Sequence, residues 1–334
     1  MKKLICVMLS VLMTLSLFAG CQDSGKAPAA VESANDAATT YNIAIVQQLD
    51  HSSLDEIRCA VSAQLQARAG SDVKVHIEEY NGQNDASMLN QIGTEIASGD
   101  FDIVIPIATL AAQTMVTALE DSDMPIVYAA VSDPAGAGLT GLPTVTGVSD
   151  ALNTPFILDM MLACQPDVKA VGLLYSNSEI NSQAPIAEAK AYLESKGIAY
   201  VEKTGNTANE IIAAASDLVG RVDAVFTPTD NAVMATEAAV AEILNEAGSP
   251  HYTGADSFVA AGAVTTCGVN YTELGTRTAD IAYEILTGGE IGEFVIMDGG
   301  IITVNTETAA ALELDYSVFK EMANTLISVT TSAE

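Results

Sequence analysis

The chain has 334 residues, nearly half of them hydrophobic, and sets 43 acidic against 13 basic side chains for a formal charge of −30. Such a surface repels nucleic acid and favours solubility, and most of the acids read as a solvated exterior. The three histidines and five cysteines match no zinc spacing, and HExxH, GxSxG, P-loop and GxGxxG motifs are all missing, so neither a metal, a cofactor nor a known catalytic motif is indicated.

In chain order, Lys2-Lys3 and the uncharged run from Leu4 to Gly20 have the build of a secretory signal peptide. The run closes in Leu17-Phe18-Ala19-Gly20-Cys21, which resembles the lipobox of bacterial lipoproteins, with Phe18 where Leu is more usual. Residues 1–20 are thus expected to be removed and Cys21 to carry acyl chains such as palmitate; an ordinary signal peptide or an uncleaved anchor are the other readings. Gln22 to Thr40 is rich in Ala, Ser, Asp, Thr and Pro and has no aromatic, as expected of a disordered tether. As a flexible coil it would reach on the order of 25 Å. No second apolar run approaches twenty residues, so the lipid would be the membrane contact, on the extracytoplasmic face. Cys59, Cys164 and Cys267 cannot all pair and are expected mostly as small buried hydrophobes.

From Tyr41 onward, short β-rich runs alternate with longer helical ones. Strands are expected at Asn42–Gln47, Lys74–Glu79, Ile103–Ile107, Ile126–Ala130 and Thr144–Val148, then at Ala170–Tyr175, Ala199–Lys203, Ala224–Phe226, Pro250–Thr253, Val264–Val269 and Phe294–Met297. Helices fill the gaps, among them Leu54–Ala69, Leu110–Leu119, Thr154–Cys164, Gln183–Lys196 and Asn231–Ala247. This alternation predicts an α/β protein with parallel sheets flanked by helices. Its two series predict two lobes.

Ligands of parallel sheets bind beyond the carboxyl ends of the strands. Those ends carry Gln47 to Ser53, Ala108-Thr109, Ser132-Asp133, Ser176 to Ser182, Thr229-Asp230-Asn231, Asp256-Ser257 and Asn270-Tyr271, without one lysine or arginine. Helix capping explains any one of them. It explains the whole set less well.

The blocks IAIVQQLDHSSLDEIRCA, DIVIPIATLAAQ, PIVYAAVSDPAGAGL, VTGVSD, VGLLYSNSEINSQ, DAVFTPTDNAV, TGADSFVAAGAVTTCGVNYTELG and TADIAYEILTGG, in order from about Asn42 to Phe319, resemble the tryptophan- and tyrosine-binding family of ABC-transporter substrate-binding lipoproteins. The departures are Gln48-Leu49-Asp50 in place of a short turn before His51, and the long tether. The resemblance implies a two-lobed type I periplasmic-binding-protein fold with a hinged cleft, and capture of an amino acid, foremost an aromatic one, for import with ABC permease and ATPase subunits. It also implies a monomer that is no enzyme. The amino-terminal lobe would hold 41–149 and about 270–287, and the carboxy-terminal lobe about 150–269 and about 290–320.

On this reading an amino acid's ammonium needs an acidic partner, expected to be Asp230, with Glu179 and Asp256 as rivals. Its carboxylate needs hydroxyls and helix-start N–H groups, expected around Thr109 and Ser132. Asn177, Asn231 and Asn270 would complete the polar shell, and Tyr128, Tyr175, Phe226 or Tyr271 could wall an aromatic side chain or simply pack in the core. Two other readings stay open: a sensor domain that presents its ligand to a signalling partner, and a cell-envelope hydrolase using Asp230 and Asp256 as a carboxylate pair.

Overall fold

The computed structural model describes residues 38–332; the expected signal peptide, Cys21 and nearly all of the expected tether lie outside the described residues. Chain order begins β1 (Thr39–Gln47), α1 (Ser52–Arg68), β2 (Val73–Asn81), α2 (Ala86–Ser98), β3 (Ile103–Ile107), α3 (Thr109–Ala118), β4 (Ile126–Ala129) and β5 (Val145–Ser149). Residues 43–46 of β1, all five of β3 and all four of β4 are buried, because helices cover both faces of a parallel sheet. Edge strand β2 instead alternates half-buried and exposed positions along Val75, His76 and Ile77.

A second series follows: α4 (Thr154–Cys164), β6 (Ala170–Tyr175), α5 (Gln183–Lys196), β7 (Ala199–Thr204), α6 (Ala208–Leu218), β8 (Ala224–Thr227), α7 (Asn231–Met234), α8 (Glu237–Glu246), β9 (His251–Thr253), α9 (Asp256–Ala260) and β10 (Thr265–Gly268). The chain ends with α10 (Tyr271–Leu286), β11 (Val295–Ile296), β12 (Ile301–Asn305), α11 (Thr306–Ala311), α12 (Phe319–Met322) and β13 (Thr325–Val329).

These strands form two sheets, ordered β11-β5-β4-β3-β1-β2 and β13-β12-β10-β9-β8-β6-β7, parallel throughout except where β12 runs against β10. Each sheet is the centre of one lobe. The chain passes between them three times, at 150–153, 269–270 and 297–300. Helix α10 returns to the first lobe and packs along α1, where Gly275 permits the approach: a Cβ there would lie 2.6 Å from the Ile57 carbonyl oxygen.

Three expectations need correction. The strand expected over Phe294–Met297 is two residues long and pairs with β5 in the first sheet, not in the carboxy-terminal lobe. The second sheet is completed by β12 and β13, which the sequence reading missed. The single helix expected over Asn231–Ala247 is two, α7 and α8, broken at Ala235-Thr236, which lets Glu237 turn inward to His251. Of the cysteines, Cys267 is buried, Cys164 half-buried and Cys59 exposed, so burial holds for only one fully.

Candidate ligand-binding cleft

In each sheet the strand order reverses beside the first strand of the series, at β1/β3 and at β6/β8, and the crevice that such a switch point opens is where open α/β sheets bind ligands. The two crevices face each other. Between them lies a cavity lined from the first lobe by His51, Ser53 and Leu54 after β1, Ala108 after β3, and Ala130 and Ser132 after β4. The second lobe contributes Asn181, Thr229 to Asn231, Met234, Ala255, Ser257 and Phe258, the first crossing adds Asp150, and the start of α10 adds Tyr271.

The lobes are shut upon each other. Among the described residues, four side-chain hydrogen-bond contacts bridge them: Gln48 Nε2 donates to Glu179 Oε1 at 2.8 Å, Ser53 Oγ to Asp256 Oδ1 at 3.3 Å, His51 Nε2 lies 3.1 Å from Asn231 Oδ1, and Ser132 Oγ lies 3.0 Å from Thr229 Oγ1. The cavity left between them is about 20 Å³, room for roughly one water. A larger one of about 350 Å³ adjoins it on the hinge side, bounded by all three crossings and sharing Asp150 and Tyr271 as walls. The chemistry belongs to the smaller cavity, where polar groups of both lobes converge; the larger adds space behind it.

Backbone strain marks the first-lobe wall. Ala108 and Ala130 end consecutive strands with φ of 76° and 54°, a region that costs a non-glycine residue about 1–3 kcal/mol. At Ala108 the turn starts α3 directly at Thr109, whose hydroxyl is buried with no hydrogen-bond partner. His51 Nδ1, Asn181 Oδ1 and Ser257 Oγ, all on residues lining the cavity, are likewise buried and unpartnered. Buried polar atoms are nearly always satisfied, so a group of them around one cavity marks a place built for another molecule.

The expected site residues divide on inspection. Ser132, Asp230 and Asn231 line the cavity. Glu179 stands just behind it, bonded to Asn231 Nδ2 at 2.9 Å, and burial together with the Asp230 charge pushes its carboxyl up to about 7. Thr109 adjoins the wall at Ala108. Asp256 is tied to Ser53 at the edge of the cleft. The other four are elsewhere. Asn177 is exposed and bonds Thr204; Asn270 is exposed and caps α10 through the Glu273 N–H; Tyr175 is half-buried and donates to Glu202; Tyr128 is fully buried in the first-lobe core. Phe226 is also core, whereas Tyr271 does line the cavity.

Asp230 answers the capping question in favour of the cap. One carboxylate oxygen accepts from the Val233 N–H at the start of α7, and the other from the Ser176 N–H and the Ser182 hydroxyl, all within its own lobe. Asp150 is less committed. Its one side-chain hydrogen bond is from Ser132 Oγ at 2.9 Å, and burial holds its carboxyl above the ordinary range. The sequence reading did not single out Asp150 or Phe258, and it placed His51, Asn181 and Ser257 at the polar strand ends without choosing them as site residues. The available signal was Asp150's place at the end of the VTGVSD block, on the first crossing. Burial also lowers the His51 pKa, which favours the neutral ring; with Nε2–H given to Asn231, Nδ1 is left as an acceptor.

Two α/β lobes shut over a polar, unsatisfied cavity define a cleft-type solute-binding protein. The chain belongs to the ABC transporter substrate binding protein family, which it matches over residues 42–323. It is similar to a tyrosine-binding protein of Clostridioides difficile, 29% identical over 94% of this chain and 93% of the relative. A solved ABC domain in complex with L-Trp from Streptococcus pneumonia superposes with TM-score 0.80 at 27% identity, covering 86% of this chain and 100% of the other. The ligand-free, open structure of a substrate binding protein with adhesive properties from Clostridium difficile gives 0.65 at 30% identity, covering 87% and 100%. Greater likeness to the ligand-bound structure, despite lower identity, agrees with the shut cleft.

Proposed function

We propose that this protein captures an aromatic amino acid in the interlobe cleft and delivers it to an ABC permease and its ATPase for import, held at the extracytoplasmic face by acyl chains on Cys21. The observation that carries the ligand class is the composition of the cavity: two acceptors, His51 Nδ1 and Asn181 Oδ1, left without a donor, an unpartnered hydroxyl at Ser257, a buried carboxylate at Asp150, and no lysine or arginine in its lining. An ammonium would sit against Asp150, with His51 Nδ1 as a second acceptor; a charge-assisted hydrogen bond is worth about 1.5–3 kcal/mol. The ligand carboxylate would take Ser257 Oγ, Thr109 Oγ1 and the N–H groups at the start of α3 other than that of Leu110, which Gln48 Oε1 holds, at an end where the helix dipole favours an anion. Phe258 and Tyr271 supply aromatic walls. The relatives named for tyrosine and bound to L-Trp support the aromatic choice.

A cavity of about 20 Å³ cannot admit such a ligand as it stands, so entry requires the lobes to part about the three crossings, and the side chain would extend toward the hinge cavity behind Tyr271. Hinge closure of periplasmic binding proteins is the handiest precedent for this movement, and the closed form would be selected by ligand contacts made to both lobes at once. The test is a thermal-shift panel of the twenty amino acids followed by solution scattering. An aromatic amino acid at a hundred times its dissociation constant should stabilise by about 2.7 kcal/mol and compact the protein without being consumed. Turnover of the ligand, or no response to any amino acid, would overturn the reading.

A further inference from the structure

Behind the cavity, Gln48 of the first lobe and Glu179 of the second, neither of them in its lining, meet across the cleft. The Gln48 amide is fully engaged: Oε1 accepts the Leu110 N–H at the start of α3 at 3.2 Å, and Nε2 donates to Asn84 Oδ1 at 2.9 Å and to Glu179 Oε1 at 2.8 Å. It is a fixed arm that presents one N–H to the opposite lobe. Glu179 Oε2 accepts from Asn231 Nδ2, and Asn231 Oδ1 in turn meets His51 Nε2, so the network crosses the cleft twice.

Charge is out of balance at this point. The ionisable groups facing Glu179 are Asp230 from its own lobe and, through Asn231, the buried ring of His51, itself near Asp50 and Asp55 of the first lobe. None of the described salt bridges includes Glu179 or Asp230. Closing the lobes therefore buries a second carboxylate beside a first with no cation to match. Asn181, whose side chain also reaches Glu179, carries a buried Oδ1 with no donor.

We propose that Gln48 and Glu179 form a proton-dependent latch: as the lobes close, Glu179 takes one proton from solvent, and opening returns that proton. No bond other than O–H is made or broken. In the closed form burial, with the Asp230 charge beside it, pushes the carboxyl up from its ordinary value of 4.5 to about 7, and opening, which would readmit water to it, should bring it back toward the ordinary value. A group whose pKa is raised by closure favours the closed form fully below the lower value and loses that contribution as pH rises through the higher one. The closed-to-open ratio should thus fall by up to tenfold per pH unit between about pH 5 and pH 7, then level off. Ligand grip would weaken as pH rises through neutrality.

The inference builds on the proposed closure, but its test needs no ligand. Solution scattering of the full chain, ligand-free, should show the radius of gyration increasing from pH 5 to pH 8. Glu179→Gln, which keeps an acceptor for Gln48 and gains a permanent donor, should stay compact throughout, and Gln48→Leu should be open even at pH 5 while circular dichroism shows an intact fold. A wild-type profile flat with pH, a profile of opposite sign, or an unaltered midpoint in Glu179→Gln would each overturn the latch. Failure of every amino acid to bind would instead sink the proposed function and leave this result standing.

Discussion

Ser132 Oγ stands between the two lobes, 2.9 Å from Asp150 Oδ1 and 3.0 Å from Thr229 Oγ1, so it joins the first crossing segment to the far wall of the cleft. A hydroxyl that donates to Asp150 leaves its oxygen to accept from Thr229. Ser132→Ala should lower ligand affinity by roughly tenfold, about 1.4 kcal/mol, through loss of both contacts. Isothermal titration with the ligand found in the amino-acid panel measures it, and unchanged affinity would remove Ser132 from the site.

Asp150 and Asp230 should separate cleanly on substitution. Asp150→Asn should weaken binding tenfold or more with little change in melting temperature, because it removes the charge facing the cavity and can keep an acceptor for Ser132. Asp230→Asn should do the reverse. An amide has one acceptor oxygen for three donors, so a loss of about 1–3 kcal/mol in stability is expected from unmatched buried N–H and O–H groups. Paired denaturation and binding curves decide the matter; an affinity loss confined to Asp230→Asn would restore the original assignment.

The feature that makes Asp230 stand out in the sequence is shared by two roles. Asp and Asn behind a strand serve equally to cap a helix or to hold a ligand, and Asp230, Asn270 and Asn305 all turn out to cap α7, α10 and α11. The β-α alternation was legible because it rests on periodicity, and boundaries such as Ala170–Tyr175 and Gln183–Lys196 coincide with those read from the sequence. Side-chain direction was not. Tyr128 sits in a strand wholly buried on both faces, where apolarity does not tell which face points to the cleft. Asp150 lies on a crossing, outside the strand-then-helix pattern that directed attention to the other candidates.

Strain at the cleft wall gives an opposite-signed prediction. Ala108→Gly should raise stability by about 1 kcal/mol, since glycine adopts φ of 76° without the Cβ penalty. The flexibility gained should loosen the N–H groups at the start of α3 and cost affinity. Thermal unfolding with and without ligand checks both halves.

Beneath α8, His251 Nδ1 lies 2.8 Å from Glu237 Oε1 and Nε2 lies 2.8 Å from Thr227 Oγ1, with both His251 and Glu237 buried. Glu237→Leu alone should destabilise the protein by about 3–5 kcal/mol, because the imidazole is left buried without its partner. Adding His251→Leu should recover much of that loss. A double-mutant cycle in urea reads the coupling directly, and additive single effects would refute it.

The position of Asp150 on the first crossing orders events in time. A pivot moves little relative to either body that turns about it, so a charged end seated at Asp150 keeps its place through the swing. On the proposed reading, arrival of ligand would then be governed by how often the open form exposes that one carboxylate, and departure by how long the bridges His51 to Asn231 and Gln48 to Glu179 hold. Substitutions at the pivot should slow association, whereas substitutions in the bridges should shorten residence.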